Sequence, residues 1–337
     1  MTDAPELAPL EFGWDRVVGQ ASTSGALRRA TQGNRPHPAY LLLGPAGLGK
    51  ALLACTVAAA LVCDEDEGRR PCGECGSCRK VAARTHADVW TEVPTGRSHT
   101  ITVDQISSVQ RRLGFRRLEG RHRVVLFLGA ETMNEHAQNK LLKTLEEPPE
   151  GTVVVLTALH PGQMLQTVRS RCQKLALGAV PVGELAAWLV REHGADPGAA
   201  EVAAAASGGL PRRAIQLLEP EQAAARSQQV LSIADALEGS TDAARALLKD
   251  LDRDREGARE AVSLMQELLR DAMTTALGAD VGRIHPDVTP ASSLVELGPE
   301  RLGALMLRVE RVQNRLGRNV HPGSVLKDFL RDVGTSS

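Results

Sequence analysis

The chain has 337 residues, 42% of them apolar, and its 40 Lys and Arg against 41 Asp and Glu leave a net charge of −1. That balance weighs against a protein that coats nucleic acid through bulk charge, and an aromatic content of 2% weighs against a platform of stacked rings for single strands. No run approaches the ~18 apolar residues of a membrane span, and the acidic N-terminus carries no basic-then-apolar export signal, so a cytoplasmic protein of two or three domains with no membrane partner is expected. Cysteines in that compartment stay reduced, so a tight cluster of them points to metal before disulfide.

In chain order, a strand-like apolar run at Tyr40 to Leu43 precedes Gly44-Pro45-Ala46-Gly47-Leu48-Gly49-Lys50, and a helical stretch from Ala51 to Val62 follows. Further strand-like runs stand at Val124 to Leu128 and Val153 to Thr157, with helical patterns between them. That alternation predicts a parallel sheet covered by helices. After Gly178 the β-like runs stop. Three short helices are expected at Val182 to Glu192, Pro197 to Ala206 and Pro211 to Leu218. Beyond Pro220 the pattern is helical almost throughout. Val262, Met265, Leu269, Met273 and Leu277 share one face of a helix, and Leu302, Met306, Val309, Val312 and Leu316 share a face of another. The proline-bearing stretch from Gly278 to Pro299 reads as a loop between them, and Thr335 to Ser337 as a frayed end. The expected divisions are an α/β core over 1–178, a small helical subdomain over 179–219 and a helical remainder over 220–337.

Gly44 to Lys50 fits the first seven positions of a phosphate-binding loop, with strand and helix in the order the chemistry needs. Glycines let backbone N–H groups turn inward around phosphates, and the helix N-terminus adds partial positive charge. The eighth position is Ala51, where Ser or Thr supplies the hydroxyl that ligates Mg²⁺. At the end of the Val124 strand, Leu128 and Gly129 stand where an Asp-Glu pair would hold the metal and activate water. The loop therefore retains the means to bind a nucleotide through Gly44, Gly47, Gly49 and Lys50, while Mg²⁺ binding and hydrolysis are not expected. Glu131, the nearest acid, falls in the following turn.

Cys63, Cys72, Cys75 and Cys78 give C-x8-C-x2-C-x2-C, four of the six cysteines within sixteen residues. Four thiolates at such spacing close a tetrahedron around Zn²⁺ and leave no position for water, which marks a structural metal; an iron–sulfur cluster or redox thiols are the other readings. Cys55 and Cys172 read as small buried residues. Asp64 to Glu67, inside the loop from Cys63 to Cys72, read as solvated surface. Arg111, Arg112, Arg116, Arg117, Arg121 and Arg123 form the one dense basic stretch, offset by Glu119 alone. It suits either DNA phosphates or a solvated or subunit-facing surface.

Four further segments complete the pattern: Val17-Val18-Gly19-Gln20, the run Asn139-Lys140-Leu141-Leu142-Lys143-Thr144-Leu145-Glu146-Glu147-Pro148-Pro149, Ser170-Arg171-Cys172, and Gly208-Gly209-Leu210-Pro211-Arg212-Arg213-Ala214. Together with the loop and the cysteines they resemble the bacterial DNA polymerase III clamp loader subunits of the AAA+ class. In Ala51, Leu128 and Gly129 the chain resembles that family's delta-prime type, which has lost the metal site, whereas the family's motor subunits keep it complete and, in the tau type, run well past this length. The resemblance implies an α/β AAA+ core with an inserted zinc module, a helical lid and an all-α collar. It implies a stator without ATPase activity of its own, a component of a DNA-directed DNA polymerase holoenzyme, assembled as a hetero-oligomer with gamma/tau motor and delta subunits and acting with them on the sliding clamp and primed DNA.

By the same resemblance, Arg171 is an arginine finger that reaches the γ-phosphate in a neighbour's site. Val17 and Val18 line the adenine pocket, Thr157 is the polar sensor and Arg212 the lid arginine. Read without it, Arg171 caps a helix beginning near Gly162 or pairs with a local carboxylate, and Thr157 is an ordinary strand-end residue. The competing reading of the whole is an AAA+ ATPase that uses Lys50 with atypical metal ligands.

Overall fold

The computed structural model describes residues 10–33, 36–96, 98–252, 254–279, 284, 292–316 and 321–334. They pack as two compact units, one running to Glu184 and including Leu210–Arg212, the other made of Leu185–Gly209 and the chain from Arg213 onward.

In the first unit five strands, β1 (Ala39–Leu43), β2 (Val89–Glu92), β3 (Arg123–Leu128), β4 (Thr152–Ala158) and β5 (Gln173–Ala176), form one parallel sheet in the order β2-β3-β4-β1-β5. The inner strands are almost wholly apolar because both faces are covered, and their period-two alternation sorts side chains between those faces. Tyr40, Leu42, Val124, Leu126, Val153 and Val155 pack with Leu27 of α1 (Ala21–Gln32), Leu53, Val57 and Leu61 of α2 (Lys50–Val62) and Val81 of α3 (Gly76–Ala82). Leu41, Leu43, Val125, Phe127, Val154 and Leu156 pack with Ile106 and Val109 of α4 (Val103–Leu113), Leu141 and Leu145 of α5 (Glu135–Glu146) and Val168 of α6 (Gln166–Arg169). Every residue of α2 except Ala51 and Leu52 is buried, which is why its sequence is apolar all round.

The three expected strands are present, each a little longer than its expected run. The two that periodicity missed, β2 and β5, are the sheet's edges. Val89-Trp90-Thr91-Glu92 and Gln173-Lys174-Leu175-Ala176 carry polar residues because an edge strand is partly solvated, so neither shows the continuous apolar run of an inner strand.

Three short helices follow, α7 (Val182–His193), α8 (Pro197–Ala206) and α9 (Pro211–Gln216), close to the expected spans except that α9 stops two residues early. Asp196 caps α8, its Oδ2 accepting from the N–H groups of Gly198 at 3.0 Å and Ala199 at 3.2 Å, with Pro197 in the first turn.

Then α10 (Pro220–Leu237), α11 (Thr241–Leu251), α12 (Arg255–Ala276), α13 (Ser292–Glu296), α14 (Gly298–Leu316) and α15 (Pro322–Gly334) enclose a second core. Val262, Met265 and Leu269 of α12 and Leu302, Val309, Val312 and Leu316 of α14 are buried in it, while Met273 and Met306 are partly buried. Leu277 departs from the expected face: it lies past the end of α12 and is 60% exposed. Nor is the stretch from Gly278 to Pro299 wholly a loop, since α13 lies within it and α14 begins at Gly298. The expected frayed end at Thr335 to Ser337 lies outside the described residues.

Candidate functional site

Register brings the carboxyl ends of three neighbouring strands level: Leu42 and Leu128 both pair with Thr157, and Leu43 pairs with Ala158. This is where an open α/β sheet places its ligand site. β1 ends at Leu43 and α2 begins at Lys50, so Gly44 to Gly49 make the turn over that edge. A Cβ on Gly44 would lie 2.6 Å from the Leu177 carbonyl oxygen, so only glycine fits there. Lys50 Nζ donates to the carbonyl oxygens of Gly44, at 2.6 Å, and Pro45, at 2.7 Å. Burial lowers the Lys50 pKa, and the negative charge of Glu131 opposes that shift. Val17 is buried in the same apolar cluster as Leu48 of the loop, and Val18 is half-buried. Gln20 fastens this segment: its Nε2 donates to the Gly178 carbonyl at 2.7 Å and its Oε1 accepts from the Gly178 N–H at 3.2 Å.

Where metal ligands would stand, Ala51 offers a methyl group and Leu128 an alkyl chain. Gly129 has φ +87°, a left-handed conformation that disfavours any side chain with a Cβ. Its N–H donates to Thr157 Oγ1 at 2.9 Å. Thr157 is therefore more than a strand-end residue; its hydroxyl ties the end of β3 to β4. Glu131 sits, as expected, in the next turn, the single 3₁₀ turn Ala130–Thr132. No motif signals that its Oε2 is buried without a hydrogen-bond partner among the described residues, or that its charge acts on Lys50.

The Arg212 backbone N–H donates to the Gly47 carbonyl at 3.2 Å, while its side chain is exposed. Arg213 instead has Nη1 3.9 Å from Glu267 Oε1.

Arg171 follows α6, and no helix begins at Gly162, where a 3₁₀ turn, Pro161–Gln163, precedes α6. Its Nη1 donates to the Thr167 carbonyl at 2.9 Å, and its Nη2 lies 2.7 Å from Glu146 Oε1. The isolated chain thus shows Arg171 both capping the last turn of α6 and pairing with a carboxylate. The partner, at the C-terminal end of α5, is a residue that sequence reasoning quoted but gave no role. The signal was available only as a Glu inside the Leu145-Glu146-Glu147-Pro148 run. Next to the arginine, Cys172 is buried and its thiol is pushed up to about 12 by burial; burial likewise pushes Cys55 up to about 11 against the nearby Arg84 charge. Neither is a nucleophile near neutral pH.

The four sulfurs of Cys63, Cys72, Cys75 and Cys78 lie within 4.8 Å of one another. Cys63 to Cys75 and Cys72 to Cys78 are both 3.9 Å Sγ to Sγ. A tetrahedral site with metal–sulfur bonds of ~2.3 Å has edges of ~3.8 Å, so the thiolates fit a metal such as zinc. Backbone N–H groups already point at sulfur: Cys75 N–H donates to Cys72 Sγ and Cys78 N–H to Cys75 Sγ, each at 3.3 Å. Burial alone would push the Cys72 thiol up; N–H donation from Cys75 and Glu74 outweighs it and brings the thiol down to about 7. Of the neighbouring acidic run, Asp64 is exposed but not merely solvated, since its Oδ1 accepts from Ser77 Oγ at 3.0 Å.

A family model described as DNA polymerase III, delta subunit matches residues 19–181. The DNA polymerase III delta-prime subunit of Yersinia pestis is 32% identical over 286 residues, 83% of this chain and 80% of that one. This chain belongs to the DNA polymerase III delta-prime family. A delta-prime subunit of Pseudomonas aeruginosa is 41% identical over 184 residues, 53% of this chain and 55% of that one. The tau subunit of Escherichia coli K12 is 29% identical over 317 residues, covering 92% of this chain but 48% of the tau chain.

In this delta-prime chain the basic stretch divides. Arg123 is buried and structural: Nη1 donates to the carbonyls of Leu113 at 2.7 Å and Phe115 at 2.8 Å, and Nη2 to that of Glu150 at 2.9 Å. It leaves the surface set, while the offsetting acid, Glu119, stays exposed but is paired with Lys80. Arg111, Arg112, Arg116, Arg117 and Arg121 remain exposed around Phe115 and Leu118, themselves 72% and 78% exposed. Asp88, buried at the start of β2, holds this loop, its carboxylate accepting from the N–H groups of Leu118 at 3.0 Å and of Glu119 and Gly120 at 2.7 Å.

Proposed function

We infer that the chain is the delta-prime component of a DNA polymerase III clamp loader. It would act as a stator that hydrolyses no ATP and supplies Arg171 to a site on a neighbouring subunit. The observation that carries this reading is the division of chemistry between two places. The position after the phosphate loop lacks a hydroxyl at Ala51, the end of β3 lacks carboxylates at Leu128 and Gly129, and the Lys50 ammonium is engaged by the loop's own carbonyls. The half-exposed guanidinium of Arg171 stands apart from that loop, past the end of α6.

Phosphoryl transfer needs charge stabilisation around the moving group more than covalent help. A metal held by a hydroxyl and a carboxylate normally supplies it together with an arginine finger, and the finger contributes about 10³ to 10⁵ in rate. In this reading the chain keeps the finger and lacks the metal ligands. Val17, Val18, Gly44, Gly47, Gly49, Lys50, Thr157 and Arg212 then form a vestigial nucleotide site that serves as a packed scaffold. The four cysteines hold one structural Zn²⁺, which leaves no coordination position for chemistry. The core over 1–178 and lid over 179–219 carry these sites, and the collar over 220–337 joins the gamma/tau motor and delta subunits. The sliding clamp and primed DNA are met by the assembled loader in the cytoplasm.

The test is ATP turnover by the purified chain alone, then by the reconstituted loader carrying Arg171→Ala. No turnover alone and a lowered loader rate are expected. Mg²⁺-dependent hydrolysis by the isolated chain, abolished by Lys50→Ala, would establish a self-sufficient ATPase instead.

A further inference from the structure

Arg171 is held from two sides by groups on different helices. Thr167, in the last turn of α6, accepts from Nη1 at 2.9 Å through its carbonyl, and Ser170 Oγ lies 3.4 Å from the same nitrogen. From the end of α5, Glu146 Oε1 lies 2.7 Å from Nη2. The two side chains keep 36% and 47% of their surface exposed, so the pair is solvated at the edge of the core.

We propose that Glu146 is the positioning residue of the arginine finger; the proposal rests on the reading of Arg171 as acting in a neighbour's site. A guanidinium carries five N–H donors in a planar fork. The Thr167 carbonyl engages a donor on Nη1, and the Glu146 carboxylate, ion-paired with Nη2, holds the group from the other side, leaving the remaining donors for an incoming phosphate. An arginine without such contacts samples many rotamers, and ordering it on arrival of the neighbour consumes much of what its bonds to phosphate return. Here that ordering is done inside the subunit. A solvated pair of this kind is also weak enough to yield or rearrange when a more highly charged phosphate competes for the same donors.

The role concerns aim more than charge. The carboxylate reduces the net positive charge near the guanidinium, so a purely electrostatic account expects its removal to raise turnover. The positioning account expects removal to lower it, because misplacement of a reacting group by about 1 Å costs on the order of 100-fold.

The experiment uses the reconstituted loader with Glu146→Gln, Glu146→Asp and Arg171→Ala, alone and combined. Complex formation is followed by co-elution and ATP turnover by steady-state kinetics. Glu146→Gln should lower kcat by about tenfold with KM for ATP within about twofold. Glu146→Asp, which keeps the charge on a shorter arm, should recover part of the loss. In the Arg171→Ala background, Glu146→Gln should produce no further loss, because there is no guanidinium left to aim. Unchanged or increased turnover in Glu146→Gln overturns the proposal while leaving the finger reading intact. So does an equal loss in the Arg171→Ala background, which would mark a structural effect of α5. Full turnover in Arg171→Ala removes the finger itself and the proposal with it.

Discussion

The Lys50 ammonium donates to the Gly44 carbonyl at 2.6 Å, closing the phosphate loop with a residue of that loop. The contact places the lysine where it meets backbone dipoles, and the positions expected to hold a metal carry Ala51, Leu128 and Gly129. A nucleotide's affinity for this site should therefore be indifferent to Mg²⁺. Titration of the isolated chain with a fluorescent ATP analogue should give the same Kd, or the same lack of binding, in Mg²⁺ and in EDTA. A tenfold gain with Mg²⁺ would point to Glu131 as a metal ligand.

Arg171→Ala in the assembled loader should leave subunit stoichiometry unchanged and lower ATP turnover at the site it serves by about 10³-fold. Arg171→Lys should recover little of the loss, because an ammonium cannot present the planar fork. Single-turnover kinetics of the reconstituted complex separates the affected site from the others.

The cysteine cluster predicts about one zinc per chain by metal analysis. Cys75→Ser should lose most of it and lower Tm by several degrees, since each ~1 kcal/mol shifts a domain of this size by about 2–4 °C. A strong chelator should mimic the variant in the wild type. Full zinc retention by Cys75→Ser would exclude the four-thiolate site.

Asp88 should make stability pH-dependent. Burial raises its pKa, but the N–H groups of Gly120, Glu119 and Leu118 outweigh burial and hold the carboxyl below the ordinary aspartate value. Its contribution is then complete above the unfolded-state pKa of about 3.9 and is lost as pH falls through the lower folded-state value. Asp88→Asn should cost about 2 kcal/mol at pH 7, and the gap to wild type should close below about pH 4. Urea melts across pH read this directly; a constant gap would mean that the charge plays no part.

Two arginines of the basic stretch should behave differently. Arg123→Ala strips a buried guanidinium from three backbone carbonyls and should destabilise by about 3 kcal/mol. The exposed Arg112→Ala should stay within ~0.5 kcal/mol in the same denaturation assay.

The local features were legible in the chain itself. A phosphate loop is one strand, one turn and one helix in succession, and its glycines, its lysine and the missing hydroxyl at Ala51 are all read within a dozen residues. The four cysteines are likewise close in sequence, so their spacing already restricts them to one site. Inner strands announced themselves because both faces are buried and nearly every residue is apolar; the edges β2 and β5, half in solvent, did not. Expected helix ends were accurate where a cap marks them, as at Asp196, and less so at α9.

What only the tertiary structure decided are the pairings of polar groups that lie far apart in sequence. Arg171 meets Glu146 across two helix ends, Asp88 holds the backbone thirty residues on, and Arg123 turns inward although its arginine neighbours face out. A charged side chain has no sequence period that reveals its partner, because its energy depends on which distant acceptor the fold brings within about 3 Å. The near-zero net charge excluded one class of protein, and the motifs named the family. The partners of individual arginines were settled when α5, α6 and the sheet came together.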